Sequence, residues 1–342
     1  MANKRKVGIY GAGTPAGIEL MRVLSVHPMI ELGFVADDAL AGSLVREQCP
    51  GLSVNVRLPF VECEARLAQG VDLVFSALGL KQADALLPTV VEQPPSTKIV
   101  DLSPWLRHGD AGLLERLRGS RVAPDSIRDM ATPGMAWRNL AAIGKARAVS
   151  MHGPVGHALC IALAPLASKD LLRGVVTGVA SVGRFGADPL GEITVLGDGL
   201  RPLKVMDDAQ AVEAAHWLSR GADASFEMAI VTQLSTEPRS VLLTVFADIG
   251  ENLAVGSLDA LYRGYYDNAL FVSLLGSPPE PRHVLASNRA HLAVRLAGNT
   301  VCVSVALDAL GRGSSHAAIE CANTMLALPE EAGLMFGGLT NA

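Results

Sequence analysis

Short apolar runs alternate with helical patterns over the first 150 residues of the chain. The runs that we predict to be strands lie at residues 6–11, 31–36, 53–57, 71–77, 98–101 and 147–151. Between them, apolar residues recur at helical spacing, as in residues 18–24 and 83–91. Apolar strands that alternate with helices are typical of a parallel sheet with helices on both faces. The first part of the chain is therefore predicted to be a doubly wound α/β domain.

The pattern changes after residue 151. Longer strands, in which apolar and polar positions alternate, are predicted at about residues 174–184, 226–234, 239–249, 291–297 and 300–307. Such alternation suits a mostly antiparallel sheet that packs one face against helices. We predict those helices at residues 156–170, 208–219, 257–267 and 314–327. Residues 1–150 should thus form one domain, joined by a C-terminal helix at about 313–342, and residues 151–312 a second, α+β domain.

Composition narrows the classes of function. Hydrophobic residues make up 49% of the 342 residues and charged residues 18%, which is enough for two packed cores. The net charge of -5 gives no support for nucleic-acid binding. No apolar run reaches the roughly 18 residues that a membrane helix needs. Five scattered cysteines without Cys-x-x-Cys spacing, and a start without a targeting segment, lead us to expect a cytoplasmic protein with reduced thiols.

A glycine pattern follows the first predicted strand and precedes an amphipathic helix. In dinucleotide sites of this kind, one glycine permits a tight turn and a second lets the backbone approach the pyrophosphate closely. A third lets the helix pack closely on the strand. The helix N-terminus adds free amides and a positive dipole. A tight turn without a ligand is the alternative. We predict a Rossmann-type dinucleotide site formed by Gly11, Gly13, Thr14, Pro15, Ala16 and Gly17.

The second predicted strand leads into Asp37, which lies 20 residues beyond Gly17. An acidic residue at this place accepts hydrogen bonds from a ribose diol. The same carboxylate would repel a 2′-phosphate. We therefore expect NAD(H) in preference to NADP(H), the alternative being that Asp37 is a solvated loop residue.

Several segments, taken in their order and spacing, resemble those of a known protein family. They are residues 11–20, 72–78, 100–103, 158–166, 265–266, 271–272, 287–288, 308–313, 323 and 328–330. Together they resemble the N-acetyl-γ-glutamyl-phosphate reductase family, within the wider aspartate-semialdehyde dehydrogenase group. The resemblance implies a second domain for substrate binding and dimerisation, a homodimer or homotetramer, and cofactor contacts from Ala77, Gly79 and Asn323.

The chemistry that this resemblance implies is reductive dephosphorylation. A cysteine thiolate forms a thioester with an acyl phosphate, and hydride then reduces the thioester to an aldehyde, with a histidine as acid and base. Where the family reads Asn-Pro-Gly-Cys-Tyr-Pro-Thr-Ala, residues 151–158 read Met-His-Gly-Pro-Val-Gly-His-Ala. Pro154 therefore stands at the cysteine position, where it suits a helix start but cannot act as a nucleophile. Cys160 lies about 9 Å further along the helix, within an apolar run that predicts burial.

Two more positions depart from the family. The segment that resembles its His-Arg-His-x-Pro-Glu motif falls near residues 204–210, which contain no histidine. In the segment similar to Pro-His-Leu-x-Pro-x-x-Arg-Gly, Gln233 replaces the histidine and Arg239 is retained. The nucleotide motif is thus present while three positions that the family's chemistry needs are changed.

Other residues near the altered turn offer different chemistry. His152 and His157 flank Pro154, and we predict that a histidine here protonates the carbonyl oxygen or imine nitrogen during a direct hydride transfer. The alternative is that His152 caps a loop and His157 lies on a helix face. Arg184 and Arg239 are candidates to bind a substrate carboxylate. No metal site is expected, because neither histidine has a cysteine or acidic partner at ligand spacing.

Three functions remain open at this point. The leading hypothesis is an NAD(P)(H)-dependent oxidoreductase that transfers hydride directly to or from a small carboxylate-bearing carbonyl or imine. The second is a non-catalytic NAD(H)-binding homologue, such as a sensor or scaffold. The third is an active acyl-phosphate reductase with a nucleophile elsewhere. The apolar run at 241–249 is a candidate contact with another subunit.

Overall fold

The computed structural model describes residues 4–52, 54–92, 97–187, 199–220, 226–249 and 255–339. The strands of its first sheet are β1 (Arg5–Tyr10), β2 (Ile30–Ala36), β3 (Phe60–Val61), β4 (Leu73–Ser76), β5 (Lys98–Asp101), β6 (Ala131–Pro133) and β7 (Ala148–Ser150). They are all parallel, in the order β3-β2-β1-β4-β5-β7-β6. The predicted parallel α/β fold is confirmed.

Helices cover both faces of this sheet. They are α1 (Pro15–Leu24), α2 (Val45–Gln48), α3 (Leu80–Glu92), α4 (Ala111–Arg118), α5 (Asp125–Arg128) and α6 (Ala136–Lys145). The chain leaves β1 for β2 on one side, and β4 then pairs with β1 on the other. Such a reversal opens a crevice at the carboxyl ends of the strands, where open α/β sheets bind ligands.

The second sheet is mixed. Its strands are β8 (Leu172–Val182), β9 (Arg201–Val205), β10 (Phe226–Leu234), β11 (Ser240–Ile249), β12 (Val272–Leu274), β13 (Ala290–Ala297) and β14 (Thr300–Asp308), in the order β12-β13-β14-β11-β8-β10-β9. Four of the six neighbouring pairs are antiparallel, and β12–β13 and β8–β10 are parallel. The remaining helices are α7 (Pro154–Ala167), α8 (Arg184–Ala187), α9 (Ala209–Leu218), α10 (Val255–Tyr266) and α11 (His316–Met325). The predicted mostly antiparallel sheet is confirmed.

Helix α7 forms the centre of the second core, and Pro154 through Leu166 are all buried. Pro165 has no N–H to donate to the carbonyl of Ile161. Tyr266 Oη donates to that carbonyl at 2.5 Å instead. A buried backbone oxygen is thereby satisfied. Helix α11 packs with α1 and α6 against the first sheet.

The strand predicted at residues 53–57 is wrong for the part that the structure describes, residues 54–57. The amides of Asn55 and Val56 both donate to the carbonyl of Leu52, which makes a turn. Leu52 and Val56 are buried, whereas Val54 is 81% exposed. The alternation of apolar residues therefore arises from a turn with buried ends and not from a strand. The third strand is instead Phe60–Val61. The short strands β6, β9 and β12 were not predicted from the sequence.

Candidate functional site

The glycine turn lies between β1 and α1, and each glycine has its own steric reason. Gly11 has a φ of 69°, and a Cβ there would lie 2.5 Å from the carbonyl oxygen of Ala77. A Cβ on Gly17 would lie 2.2 Å from the carbonyl oxygen of Gly11. A Cβ on Gly13 would lie 2.7 Å from Asp37 Oδ2. A side chain at any of these positions would displace backbone or the Asp37 carboxylate.

Thr14 and Asp37 fix the shape of this turn. Thr14 Oγ1 accepts from the amide of Gly17 at 3.0 Å and donates to the carbonyl of Gly11 at 2.8 Å, which makes Thr14 the N-cap of α1. Asp37 accepts from the amide of Gly13 at 3.1 Å and from that of Ala39 at 3.1 Å. The structure therefore brings the Asp37 carboxylate to the glycine turn.

Ala77 and Gly79 follow β4 at the same edge of the sheet. The amide of Ala77 donates to the carbonyl of Tyr10 at 2.9 Å, and Gly79 directly precedes α3. Asn323 belongs to another contact: its Nδ2 donates to the carbonyls of Glu330 (3.1 Å) and Ala332 (2.9 Å). Asn323 thus holds the C-terminal segment, which favours a structural role over the predicted cofactor contact.

A cleft of about 630 Å³ lies where the carboxyl ends of the first sheet meet β9, α9 and β10. We call it the front cleft. From the first domain it is lined by Leu80, Lys81, Pro104, Leu117, Arg118, Gly119 and Ser120. From the second it is lined by Ala187, Arg201, Leu203, Lys204, Asp207, Asp208, Ala209, Gln210 and Thr232. Its size suits a small-molecule ligand, and its lining holds four basic and two acidic side chains.

The N-terminus of α7 lies behind Gln210. Gly153 is the N-cap residue and Pro154 the first residue of the helix. The amides of Val155 and Gly156 donate to Gln210 Oε1 at 3.0 and 3.3 Å. Two of the donors that a helix N-terminus leaves free are therefore taken by a side chain of α9.

His152 and His157 lie on either side of this helix start and are both buried. Burial lowers the pKa of His152 to about 4 and that of His157 well below its usual value. Within the described part of the chain, Nδ1 of His152 and both ring nitrogens of His157 have no hydrogen-bond partner. Neither histidine is among the described residues that line the front cleft.

A buried ionic cluster that the sequence did not suggest lies beside His152. Arg107 donates to Glu213 Oε2 at 3.2 Å, to the carbonyl of Met151 at 2.9 Å and to that of Leu102 at 3.0 Å. Arg118 donates to the other oxygen of Glu213. Burial acts to raise the pKa of Glu213, but Arg118 and Arg107 hold it below its usual value.

The two predicted substrate arginines are not brought together. Arg239 donates to Asp308 at 2.8 and 3.0 Å and to Glu19 at 2.8 and 3.3 Å, so its guanidinium joins β14 to α1. This pairing favours a structural role for Arg239. Arg184 begins α8, and its guanidinium carbon lies 4.6 Å from the ring centroid of Phe185. It is not among the described residues that line the front cleft.

The five cysteines are all poor candidates for a nucleophile. Burial is the largest cause that raises the pKa of each thiol, and the pKa of Cys63 rises to about 12. Cys160 is fully buried in α7. The described residues contain no group of His, Cys, Asp or Glu arranged to hold a metal ion. Among the described helices, none has the length and apolarity to cross a membrane.

Comparison with known proteins identifies the relatives of this chain. Residues 6–147 match the family model "Semialdehyde dehydrogenase, NAD binding domain", and residues 156–309 match "Semialdehyde dehydrogenase, dimerisation domain". An N-acetyl-gamma-glutamyl-phosphate reductase of Syntrophobacter fumaroxidans is 30% identical over 96% of this chain and 97% of its own. The corresponding protein of Bordetella avium is 29% identical, with 96% of each chain covered.

Solved structures agree on the fold. Aspartate semialdehyde dehydrogenase II from Vibrio cholerae, complexed with ASA, superposes with a TM-score of 0.72 at 12% identity, covering 95% of this chain and 99% of that one. The enzyme from Candida albicans with NADP gives 0.65 at 14% identity, with 95% and 99% covered. Both domain models, the relatives across the full length and the shared fold lead to one conclusion: the chain belongs to the semialdehyde dehydrogenase family.

Proposed function

We propose that the protein is an NAD(P)(H)-dependent oxidoreductase that transfers hydride directly, without a cysteine thioester. The observation that carries this proposal is the start of α7. Pro154 occupies its first position, and Gln210 Oε1 accepts from the amides of Val155 and Gly156. A thiolate at a helix N-terminus would need these amides to lower its pKa. Because Pro154 begins the helix and the Gln210 carboxamide occupies these amides, they are not available to stabilise a thiolate at this turn.

The cofactor site is proposed at the glycine turn. Gly11, Gly13 and Gly17 leave room for a pyrophosphate, and Asp37 Oδ2 accepts from the amide of Gly13 in the turn. When bound, a nicotinamide dinucleotide supplies or accepts the hydride ion. The carboxylate of Asp37 beside Gly13 supports a ribose diol as the partner and opposes a 2′-phosphate. We therefore propose NAD(H) over NADP(H).

The substrate is proposed to bind in the front cleft. Lys81, Arg118 and Lys204 line it, and they suit a small carbonyl or imine compound that carries a carboxylate. Asp208 is already occupied, because it caps α9 and accepts from Thr232 Oγ1 at 2.6 Å. It is therefore not available as a base without breaking the cap.

Proton transfer is proposed to depend on His152 or His157. Both imidazoles are neutral at pH 7 because burial lowers their pKa values. Each can then act only as a neutral N–H donor or as an acceptor. Gln210, which lines the front cleft, also lies against Gly153 next to His152, where a Cβ on Gly153 would lie 2.3 Å from Gln210 Oε1.

A non-catalytic NAD(H)-binding protein is the second candidate. It is supported by the burial of both histidines away from the described lining of the front cleft. Replacing His152 and His157 by alanine separates the two candidates. An enzyme should lose turnover by about 10²–10⁴-fold, whereas a binding protein should keep its cofactor affinity and show no turnover to lose.

An active acyl-phosphate reductase is the third possibility, and the names of the relatives favour it. The raised pKa of all five thiols opposes it, since a thiol that stays protonated at neutral pH is a weak nucleophile. Formation of a covalent acyl-enzyme, seen as a mass increase on a cysteine after incubation with an acyl phosphate, would favour it over direct transfer.

Assembly into a homodimer or homotetramer is proposed through the outer face of the second sheet. Val175, Val179 and Phe246 are 49%, 39% and 46% exposed on β8 and β11. In the run at 241–249, Val241, Leu243, Val245, Ala247 and Ile249 point into the core, so only the alternate residues reach this face. The match to a dimerisation domain supports this surface as the contact.

The first test is titration of the purified protein with NADH and NADPH, followed by fluorescence. We expect micromolar NADH binding that Gly13→Val abolishes, and a gain of NADPH affinity in Asp37→Ala. NADH oxidation is then screened with small oxo acids and imino acids. If neither nucleotide binds, both the oxidoreductase and the NAD(H)-binding proposals fail.

A further inference from the structure

A second cleft, of about 350 Å³, lies at the C-terminal ends of α7 and α9, away from the start of α7. We call it the rear cleft. It is formed by Pro133, by α6, by the end of α7, by the end of α9 and by Tyr265 of α10. Its volume is at the lower end of small-molecule sites and too small for a dinucleotide. None of its described lining residues belongs to the glycine turn or to the front cleft.

Two guanidinium groups line the rear cleft. Arg138 and Arg220 are both exposed. Within the described part of the chain, neither lies within ion-pair distance of a carboxylate. The guanidinium carbon of Arg138 is held 5.3 Å from the ring centroid of Tyr265. The side-chain amide of Asn139 also lines the cleft and has no hydrogen-bond partner in the described residues.

The wall of the rear cleft is aromatic. Trp217 and Tyr265 line it, and both pack on Trp137, with ring centroids 5.8 and 6.1 Å apart. Tyr266 completes the group at 5.5 Å from Trp137. The chain has only three tryptophans and four tyrosines, so this cluster contains four of its seven large polar aromatic residues. Rings of this kind present flat surfaces to a planar ligand.

We propose that the rear cleft binds a small organic anion that carries a flat ring. Two unpaired guanidiniums provide bidentate donors for a carboxylate. The aromatic wall supplies a surface for the ring, and Asn139 supplies an additional donor or acceptor. The site is separate from the proposed cofactor and substrate sites and does not depend on the proposed function.

Helix α9 connects the rear cleft with the start of α7. Trp217 lies in the rear cleft, and its ring packs edge to face on His152 with centroids 6.3 Å apart. Gln210 and Glu213 lie seven and four positions before Trp217 on the same face of α9, since 210, 213 and 217 have the i, i+3, i+7 spacing. The rear cleft and the groups that cap α7 and hold Arg107 therefore share one face of one helix.

Isothermal titration calorimetry with indole-3-carboxylate tests the site, in the presence of saturating NADH to block any competing binding at the glycine turn. We expect saturable binding that Arg138→Gln and Arg220→Gln each weaken about tenfold or more. The matched control is Arg116→Gln, which changes an exposed arginine of α4 outside the rear cleft. Indole-3-carboxamide, which lacks the charge, and cyclohexanecarboxylate, which lacks the flat ring, should both bind more weakly.

Any of three results would overturn the proposal. They are no saturable heat, equal affinity in the Arg138→Gln/Arg220→Gln double variant, or equal affinity for the neutral carboxamide. Ala167→Met, which fills the rear cleft without changing charge, should also abolish binding. Because the titration can be run without NADH, a protein that fails to bind nucleotide still gives a decisive answer.

Discussion

Replacing Gly13 by alanine adds one methyl group where the glycine turn meets Asp37. An ideal Cβ there would lie 2.6 Å from Leu40 Cδ1 and 2.7 Å from Asp37 Oδ2. Ordinary contacts of a Cβ begin at 3.4 Å, so the carboxylate must withdraw by about 0.7 Å. Its hydrogen bond from the Gly13 amide, now 3.1 Å, would then be lost.

The Gly13→Ala change should weaken the binding of NADH. A withdrawn carboxylate can no longer accept the hydrogen bond proposed from the cofactor ribose. A hydrogen bond to a charged group contributes about 1.5–3 kcal/mol, and each 1.4 kcal/mol is a factor of about ten in affinity. We therefore expect Gly13→Ala to weaken NADH binding by about 10- to 100-fold. Because the Gly13–Asp37 hydrogen bond is lost in the free protein as well, the melting temperature should also fall.

Fluorescence titration with NADH measures the effect, with Gly70→Ala as the matched control. A Cβ on Gly70 meets no atom within 4 Å, so this variant should bind as the unchanged protein does. In a double-mutant cycle, Gly13→Ala should weaken binding less once Asp37→Ala has removed the carboxylate, with Leu40 Cδ1 as the remaining close contact. Unchanged NADH affinity in Gly13→Ala would refute the placement of the ribose beside Asp37.

Three further predictions concern charge and reactivity. Arg239→Met leaves Glu19 and Asp308 without their shared cation, and the free energy of unfolding in urea should fall by about 3–5 kcal/mol; a change below about 1 kcal/mol would contradict a structural role. The pKa of His152 is lowered to about 4, so its contribution to stability is present above its usual value of 6.5 and is lost as pH falls from 6.5 toward 4; an NMR titration midpoint near 6.5 would refute this. Cys160 should be alkylated by iodoacetamide at pH 7.5 only after unfolding, as peptide mass spectrometry will show, because burial raises the pKa of its thiol.

Local patterns were sufficient for the architecture and for the glycine turn between β1 and α1. The alternation of strands and helices predicted the parallel sheet, because a strand buried on both faces must be apolar along its length. Gly11, Gly13 and Gly17 were recognised because the reasons for each glycine act within one turn and its neighbouring strands. The strand at residues 53–57 was wrong, since apolar alternation also fits a turn with buried ends.

Tertiary structure alone decided which side chains meet at the start of α7 and between the domains. Gln210 reaches the amides of Val155 and Gly156 from 55 and 54 positions away, and Glu213 meets Arg107 across 106 positions. Arg239, whose sequence context suggested a substrate contact, is paired with Glu19 instead. The periodicity of apolar residues shows which face of its own strand or helix each residue occupies. These contacts instead depend on how the two domains pack together. The sequence by itself therefore determined the elements and the glycine turn, while the packing of the domains determined the surroundings of the turn that precedes α7.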